Sequence, residues 1–215
     1  MCSNFTPTKS ASWVHASFGV ELPQPLTSTP DDRVFPQGYA PFLVKSRKSG
    51  QTAIGHAQFG LIPPWAKDNK IARHTYNARS ETVADKPSFR NAWKKLQFGL
   101  VLVDSFNEPS YQSGKAVSTP IGLTSGDPFA IACLWDRWTD PATGELVVSF
   151  SMLTVNADEH PVMKKFHKPG DEKRTPVIIR SDLHDAWLGA DTAQAQELMS
   201  WKHMPDVIAL SVPRD

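Results

Sequence analysis

The sequence predicts an α+β fold, a single domain over 1–215, built mainly of antiparallel sheet with helices at its periphery. Three observations lead there. Apolar or alternating runs of strand length recur along the chain, and most follow one another with no helical pattern between them. A chain that is 40% hydrophobic, with seven Trp and eleven Phe, can also fill a core. In chain order, strands are expected at 40–46 and 53–59, at 98–104 through the run FGLVLV, at 129–135 through FAIACLW, and at 146–155, 177–180 and 207–212. Helices are fewer. One is expected at 12–18, one at 90–96, a short one through 188 with Ser181 as its N-cap, and one through 201 with Asp191 as its N-cap. No repeat, low-complexity segment or long linker interrupts the chain, and its eighteen prolines are scattered.

Several function classes are excluded by composition and spacing. The longest apolar runs fall short of the roughly 20 residues that cross a bilayer, so no membrane contact is expected. No apolar stretch of signal-peptide type follows Met1, and Cys2 and Cys133 make no disulfide framework, which together point to the cytoplasm. Cys133, inside FAIACLW, reads as a buried core thiol. The seven His and two Cys show no C-x-x-C or H-x-x-x-H spacing, so no metal is expected. Without a G-x-x-x-x-G-K-S/T or G-x-G-x-x-G run, no cofactor is expected either. Net charge is only +1. That balance contains local basic clusters, one at Arg73, His74, Arg79, Arg90, Lys94 and Lys95, another at Lys164, Lys165, His167, Lys168, Lys173, Arg174 and Arg180. If they converge they make a face suited to phosphates; if not, they are solvated surface charge.

Four segments carry chemistry. The chain opens MCSNF, and loss of Met1 would leave Cys2 with a free α-amine and a thiol on one residue, a 1,2-aminothiol. TYNARSET (75–82) packs amide, guanidinium and carboxylate into a few residues. VLVDSFNEPS puts Glu108 just past an apolar strand, in an expected loop, where functional groups concentrate. FHKPGDEKRTPVII puts His167 in a basic loop ahead of an apolar strand. Singly, each has a bland reading: a turn asparagine, a surface salt bridge, a solvated carboxylate, a surface histidine.

Taken in this order, with FGLIPPWAKD at 59–68 and LTVNA at 153–157, these segments resemble the SRAP (SOS-response-associated peptidase) family, proteins that crosslink to abasic sites in DNA. The resemblance implies a barrel-like sheet and a monomer acting on single-stranded DNA that contains abasic sites, in the response to DNA damage. An abasic sugar opens to an aldehyde, which a 1,2-aminothiol captures as an imine that the thiol closes into a thiazolidine. An α-amine with a pKa of roughly 7.7–8.0 is partly neutral near pH 7, where a lysine at roughly 10.4 is almost wholly charged. By resemblance, Cys2 is the nucleophile and Asn77 holds the terminal residue and the sugar. Glu108 shuttles protons, and His167 assists ring opening and reversal. Arg79 and Arg174 would grip phosphates, Trp65 and Pro41 would stack flanking bases, and Thr154 would line the pocket.

This sequence departs from the family pattern in three places. Ser3 and Asn4 stand where the family has Gly-Arg, which puts one DNA contact, at Asn4, in doubt. Pro109 replaces an aromatic. Six residues, KPGDEK, separate His167 from Arg174, a longer link than the family pattern, so His160 is an alternative histidine. Two rival functions use the same residues: a thiol peptidase whose N-terminal nucleophile is Cys2, freed by autoproteolysis, and a non-covalent single-strand binding module.

Overall fold

A computed structural model describes residues 2–24 and 32–210. At its centre five strands close into a ring. β2 (Tyr39–Lys45), β3 (Thr52–Phe59), β8 (Leu146–Asn156), β7 (Phe129–Thr139) and β5 (Phe98–Ser110) pair in that order, and β5 returns to β2. All junctions are antiparallel except β3 with β8. The mainly antiparallel, barrel-like sheet expected from the sequence is therefore present.

Side chains alternate across a strand, so each strand of the ring divides its apolar residues between two cores. Phe42, Phe59, Val101, Ile131, Cys133 and Phe150 come from all five strands and meet in one cluster. Phe42 and Phe59 stack on Phe150, with centroids 6.2 and 5.3 Å away. The alternate residues Leu100, Leu102, Ala132 and Leu134 face outward. There they are covered by Trp93 of α2 (Arg90–Lys94), Trp187 of α3 (His184–Gly189) and Ala195 of α4 (Thr192–Leu198). Trp187 also donates its indole N–H to the Gly99 carbonyl at 2.9 Å, satisfying the polar end of a fully buried side chain.

The N-terminus is tied to this ring. β1 (Phe5–Pro7) runs antiparallel to β5 with Phe5 opposite Phe106, and the Phe5 ring meets Phe59 edge-on at 5.2 Å. Full burial of a phenylalanine contributes roughly 1.5–3 kcal/mol, a large anchor for a three-residue strand. α1 (Ala11–Phe18) follows, capped by Ser10, whose hydroxyl accepts the Trp13 N–H.

Several expectations are corrected. β5 does not stop at 104 but continues to Ser110, because it changes partners along its length: β2 and β7 first, then β1, then β6 (Val117–Leu123). Glu108 is consequently a strand residue, not a loop residue. β1, β6 and β4 (Asn77–Arg79) have no counterpart among the expected strands. Two are three residues long, the third contains Pro120, and all are held by distant partners rather than by local pattern. The strand expected at 177–180 is shortened to β10 (Ile178–Ile179) on β7, and a separate strand, β9 (Arg174–Pro176), precedes it on β8. Ser181 is not an N-cap: it begins a 3-10 turn that leads into α3. Asp191 does cap α4, in a reciprocal capping box with Gln194, and that helix ends at Leu198. β11 (Val207–Ala209) begins where expected; positions 211–212 of that expected strand, like Met1, lie outside the described residues. Among the described residues, no helix is long and apolar enough to cross a membrane.

Candidate active site

Backbone pairing brings the N-terminus and β5 together. The Asn4 carbonyl accepts the Asn107 N–H at 3.0 Å, which sets Cys2 beside the stretch of β5 that carries Glu108. Cys2 is fully buried. Its thiol donates to the Asn4 carbonyl at 3.3 Å, and its own carbonyl accepts from Asn77 Nδ2 at 2.7 Å. Asn77 reaches it because β4 lies parallel to β8, with Asn77 beside Met152 and Arg79 beside Thr154.

Glu108, only 1% exposed, stands opposite Thr119 of β6. His167 approaches from the loop before β9. Its N–H donates to the Pro109 carbonyl at 2.9 Å, and its ring Nε2 lies 2.9 Å from Glu108 Oε2. The backbone at His167 is left-handed, with φ 63°, an uncommon conformation for a side chain of this size. That conformation accompanies a buried ring turned onto Glu108 instead of a solvated one. Cys2, Asn77, Glu108 and His167 are thus brought into one neighbourhood.

The electrostatics there oppose a free thiolate. Burial first, and the Glu108 carboxylate second, push the Cys2 thiol far above its usual range, with the N-terminal charge and then backbone groups of Asn4 and Asn107 only partly offsetting them. Three buried polar atoms, Asn4 Oδ1, Asn77 Oδ1 and His167 Nδ1, have no hydrogen-bond partner among the described residues. An unsatisfied buried polar atom costs roughly 1–3 kcal/mol, and three on the residues of one neighbourhood mark a place that a polar ligand would complete. Among the described residues no group of His, Cys, Asp or Glu is arranged to hold a metal ion.

His160 is placed differently. Its Nδ1 accepts the N–H groups of Val162 and Met163, both at 3.1 Å, and its ring lies against Trp201 with centroids 5.3 Å apart. That nitrogen is occupied in organising a turn, whereas His167 reaches Glu108.

The residues assigned to DNA occupy varied settings. Trp65 is 57% exposed, its indole N–H donating to the Pro87 carbonyl, and it shares an open depression with Pro64, Pro87, Arg90 and Lys95. The segment ahead of it turns at Gly60, whose φ is +108° and where a Cβ would stand 2.2 Å from the Ala72 carbonyl oxygen, so only glycine fits. Pro41 is buried in β2 opposite His56. Asn4 is buried at the site itself, and Thr154 is buried with its hydroxyl donating to the Ala78 carbonyl. Arg79 is half exposed and paired with Glu172 at 2.9 Å. Arg174 is 2% exposed and bound to Glu81, Glu172 and Thr154. Glu81, Glu172 and Asn107 were absent from the expected site. The i, i+2 spacing of Asn77, Arg79 and Glu81 could have signalled an extended face; Glu172 carried no local signal at all.

The chain is similar to several known proteins. The abasic site processing protein YoqW of Bacillus subtilis (strain 168) is 33% identical over 148 residues, 68% of this chain and 62% of its own length. The match therefore spans less than two thirds of that relative. The abasic site processing protein YoaM of the same organism is 30% identical over 180 residues, 79% of this chain and 75% of its own. The abasic site processing protein HMCES of Rattus norvegicus is 25% identical over 239 residues, 94% of this chain and 66% of its own. A crystal structure of a Bordetella bronchiseptica protein superposes with a TM-score of 0.83 at 31% identity, covering 98% of this chain and all of that one. Another, from Bacteroides thetaiotaomicron, shares the fold at a TM-score of 0.77 and 23% identity, covering 98% of this chain and 92% of that one. Residues 1–214 match the family described as SOS response associated peptidase (SRAP), a span that takes in every strand and every site residue described above, and the chain belongs to that family.

Proposed function

We propose that this protein binds single-stranded DNA and captures abasic sites covalently through Cys2 once Met1 is removed. It would do so as a monomeric single domain, without a cofactor, in the response to DNA damage. The observation that carries the proposal is the clamp on the terminal residue: Asn77 holds the Cys2 carbonyl at 2.7 Å while the Glu108–His167 pair lies alongside. The α-amine nitrogen attacks the aldehyde carbon of the open sugar to give a carbinolamine. That hydroxyl leaves as water as Glu108 gives a proton to its oxygen and takes one back from the nitrogen, and a neutral imine results. The Cys2 sulfur then adds to the imine carbon, the thiol proton passes to nitrogen, and the ring closes with one water released overall. Asn77 orients the amine, and His167 is positioned to exchange protons with Glu108. The names of the relatives, abasic site processing proteins, support the same lesion as substrate.

The pushed-up thiol also bears on the rival reading. A thiol peptidase is served by a lowered thiol pKa that supplies a standing thiolate, and burial beside Glu108 works in the opposite direction. Amine-first capture needs no standing thiolate. The test is a denaturing gel of the protein with an oligonucleotide containing an abasic site. A heat-stable shifted band is expected for the natural sequence, and none for Cys2→Ala. A heat-stable band with Cys2→Ala would overturn the proposal, as would mass spectra in which Met1 is retained on crosslinked protein, because an acylated nitrogen forms no imine.

A further inference from the structure

Two arginines near the candidate site share a single carboxylate. Glu172 Oε2 lies 2.9 Å from Arg79 Nη1, and its Oε1 lies 2.5 Å from Arg174 Nη1. Glu172 belongs to the long loop KPGDEK that separates His167 from Arg174. Arg79 is two residues from Asn77 on β4, so both side chains leave the strand on one face, their Cα atoms roughly 7 Å apart. The shared carboxylate therefore lies one strand step along from the residue that clamps Cys2.

A guanidinium has five N–H donors, and Arg174 uses all of them. Nε donates to the Thr154 hydroxyl, Nη2 to the Thr154 carbonyl and Glu81, and Nη1 to Glu81 and Glu172. Thr154 and Glu81 hold it in place: Thr154 is wholly buried, and Glu81 makes a two-pronged contact. Glu172 is the exchangeable partner. It sits in a loop, its side chain is 36% exposed, and its only other hydrogen bond in this network is a long one, 3.4 Å, from Asn156. Burial pushes the Glu172 carboxyl up, but Arg174 and Arg79 outweigh that and hold it below its usual range, so it is an anion at neutral pH.

We propose that Glu172 occupies a phosphate position as an internal anion, so that a DNA backbone must displace its carboxylate from Arg79 and Arg174 before either arginine can hold a phosphate. This rests on the reading above, that single-stranded DNA is the partner. Two charges, Arg79 and Arg174, face two, Glu81 and Glu172, and the cluster is neutral as it stands. Exchanging Glu172 for a phosphate oxygen keeps that balance. The long loop thereby sets the affinity threshold for DNA.

The experiment is fluorescence anisotropy with a short, intact single-stranded oligonucleotide lacking any abasic site, at low salt, for four proteins. These are the natural sequence, Glu172→Gln, Glu197→Gln as a charge control on α4, and Glu172→Gln combined with Arg79→Ala. Glu172 is partly exposed in both of its ion pairs, and each is worth roughly a factor of two to five, so loss of both from Glu172→Gln should tighten binding by about tenfold. Glu197→Gln should change little, and Arg79→Ala should remove most of the gain. Unchanged or weaker binding by Glu172→Gln overturns the inference. So does an equal gain from Glu197→Gln, which would make the effect one of net charge. A gain that survives Arg79→Ala overturns it too. Crosslinking of the same proteins to an abasic oligonucleotide is read separately on the denaturing gel, so failure of the internal-anion idea and failure of covalent capture are distinguishable.

Discussion

Replacing Glu108 with Gln separates two chemistries that the site could use. The substitution keeps side-chain volume in a position only 1% exposed and leaves an amide oxygen available to His167 Nε2, now 2.9 Å from the carboxylate. What it removes is a proton carrier and a negative charge. Loss of a general acid or base typically slows a reaction by about 10² to 10⁴-fold, which at 1.36 kcal/mol per tenfold is about 2.7–5.4 kcal/mol of barrier. The lost charge has the opposite sign of effect on sulfur. Burial is the largest cause pushing the Cys2 thiol up, and the Glu108 carboxylate is the second. Without that carboxylate the thiol pKa must fall and thiolate become more available. If amine attack and loss of water govern the rate, Glu108→Gln slows crosslinking; if thiolate formation governs it, Glu108→Gln speeds it. The assay is a single-turnover time course on an abasic oligonucleotide at one pH, stopped in detergent, alongside anisotropy on the uncaptured DNA. The expected result is a rate lowered by two orders of magnitude or more with binding unchanged. A rate at or above that of the natural sequence would refute the acid–base role and the amine-first order together.

Three further outcomes are expected. Asn77→Ala leaves the Cys2 carbonyl without its 2.7 Å donor; an unsatisfied buried acceptor costs roughly 1–3 kcal/mol, so crosslinking should slow by about ten- to a hundredfold and chemical denaturation should register a loss of that size. His167→Ala should slow both formation of the crosslink and its release into a competitor chase, while His160→Ala should lower thermal stability, because His160 Nδ1 holds the N–H groups of Val162 and Met163; the reverse pattern would transfer the catalytic role to His160. Burial holds the His160 and His184 rings below their usual pKa, so the unfolded chain binds more protons as pH falls past about 6.5. Stability is then fully present above that pH and declines below it, Tm should drop between pH 7.5 and 5.5, and His184→Gln should flatten the profile; a Tm rising with acidity would contradict the assignment.

Much of the architecture was legible in the chain. The runs at 98–103 and 129–135 are apolar on both faces, and the structure shows why: one face fills the ring and the other meets the helices, so both demand burial. Asp191 as a helix cap was legible too, since a capping box is a contact between near neighbours. The reactivity proposed for Cys2 is likewise local chemistry, a property of an amine and a thiol on one residue. Other features depended on residues far apart. Asn77 meets Cys2 across 75 positions, and Arg174 meets Glu81 across 93. Glu108 looked like a loop carboxylate because Asp104, Ser105 and Asn107 break the apolar run, yet β1 and β6 pair with that stretch and bury it. His160 and His167 are the same side chain, and the sequence put His167 first only by resemblance, with His160 as the alternative. A left-handed backbone and a hydrogen bond to the Pro109 carbonyl turn His167 onto Glu108, while His160 is tied to its own turn. Arg174 looked like a free cation because charge is counted along a chain, whereas its donors are filled by groups that only folding delivers. Composition and periodicity decide which residues must be buried, because burial follows from the side chain's own interaction with water; which polar groups face one another is decided by the register and closure of the ring, which no single segment contains.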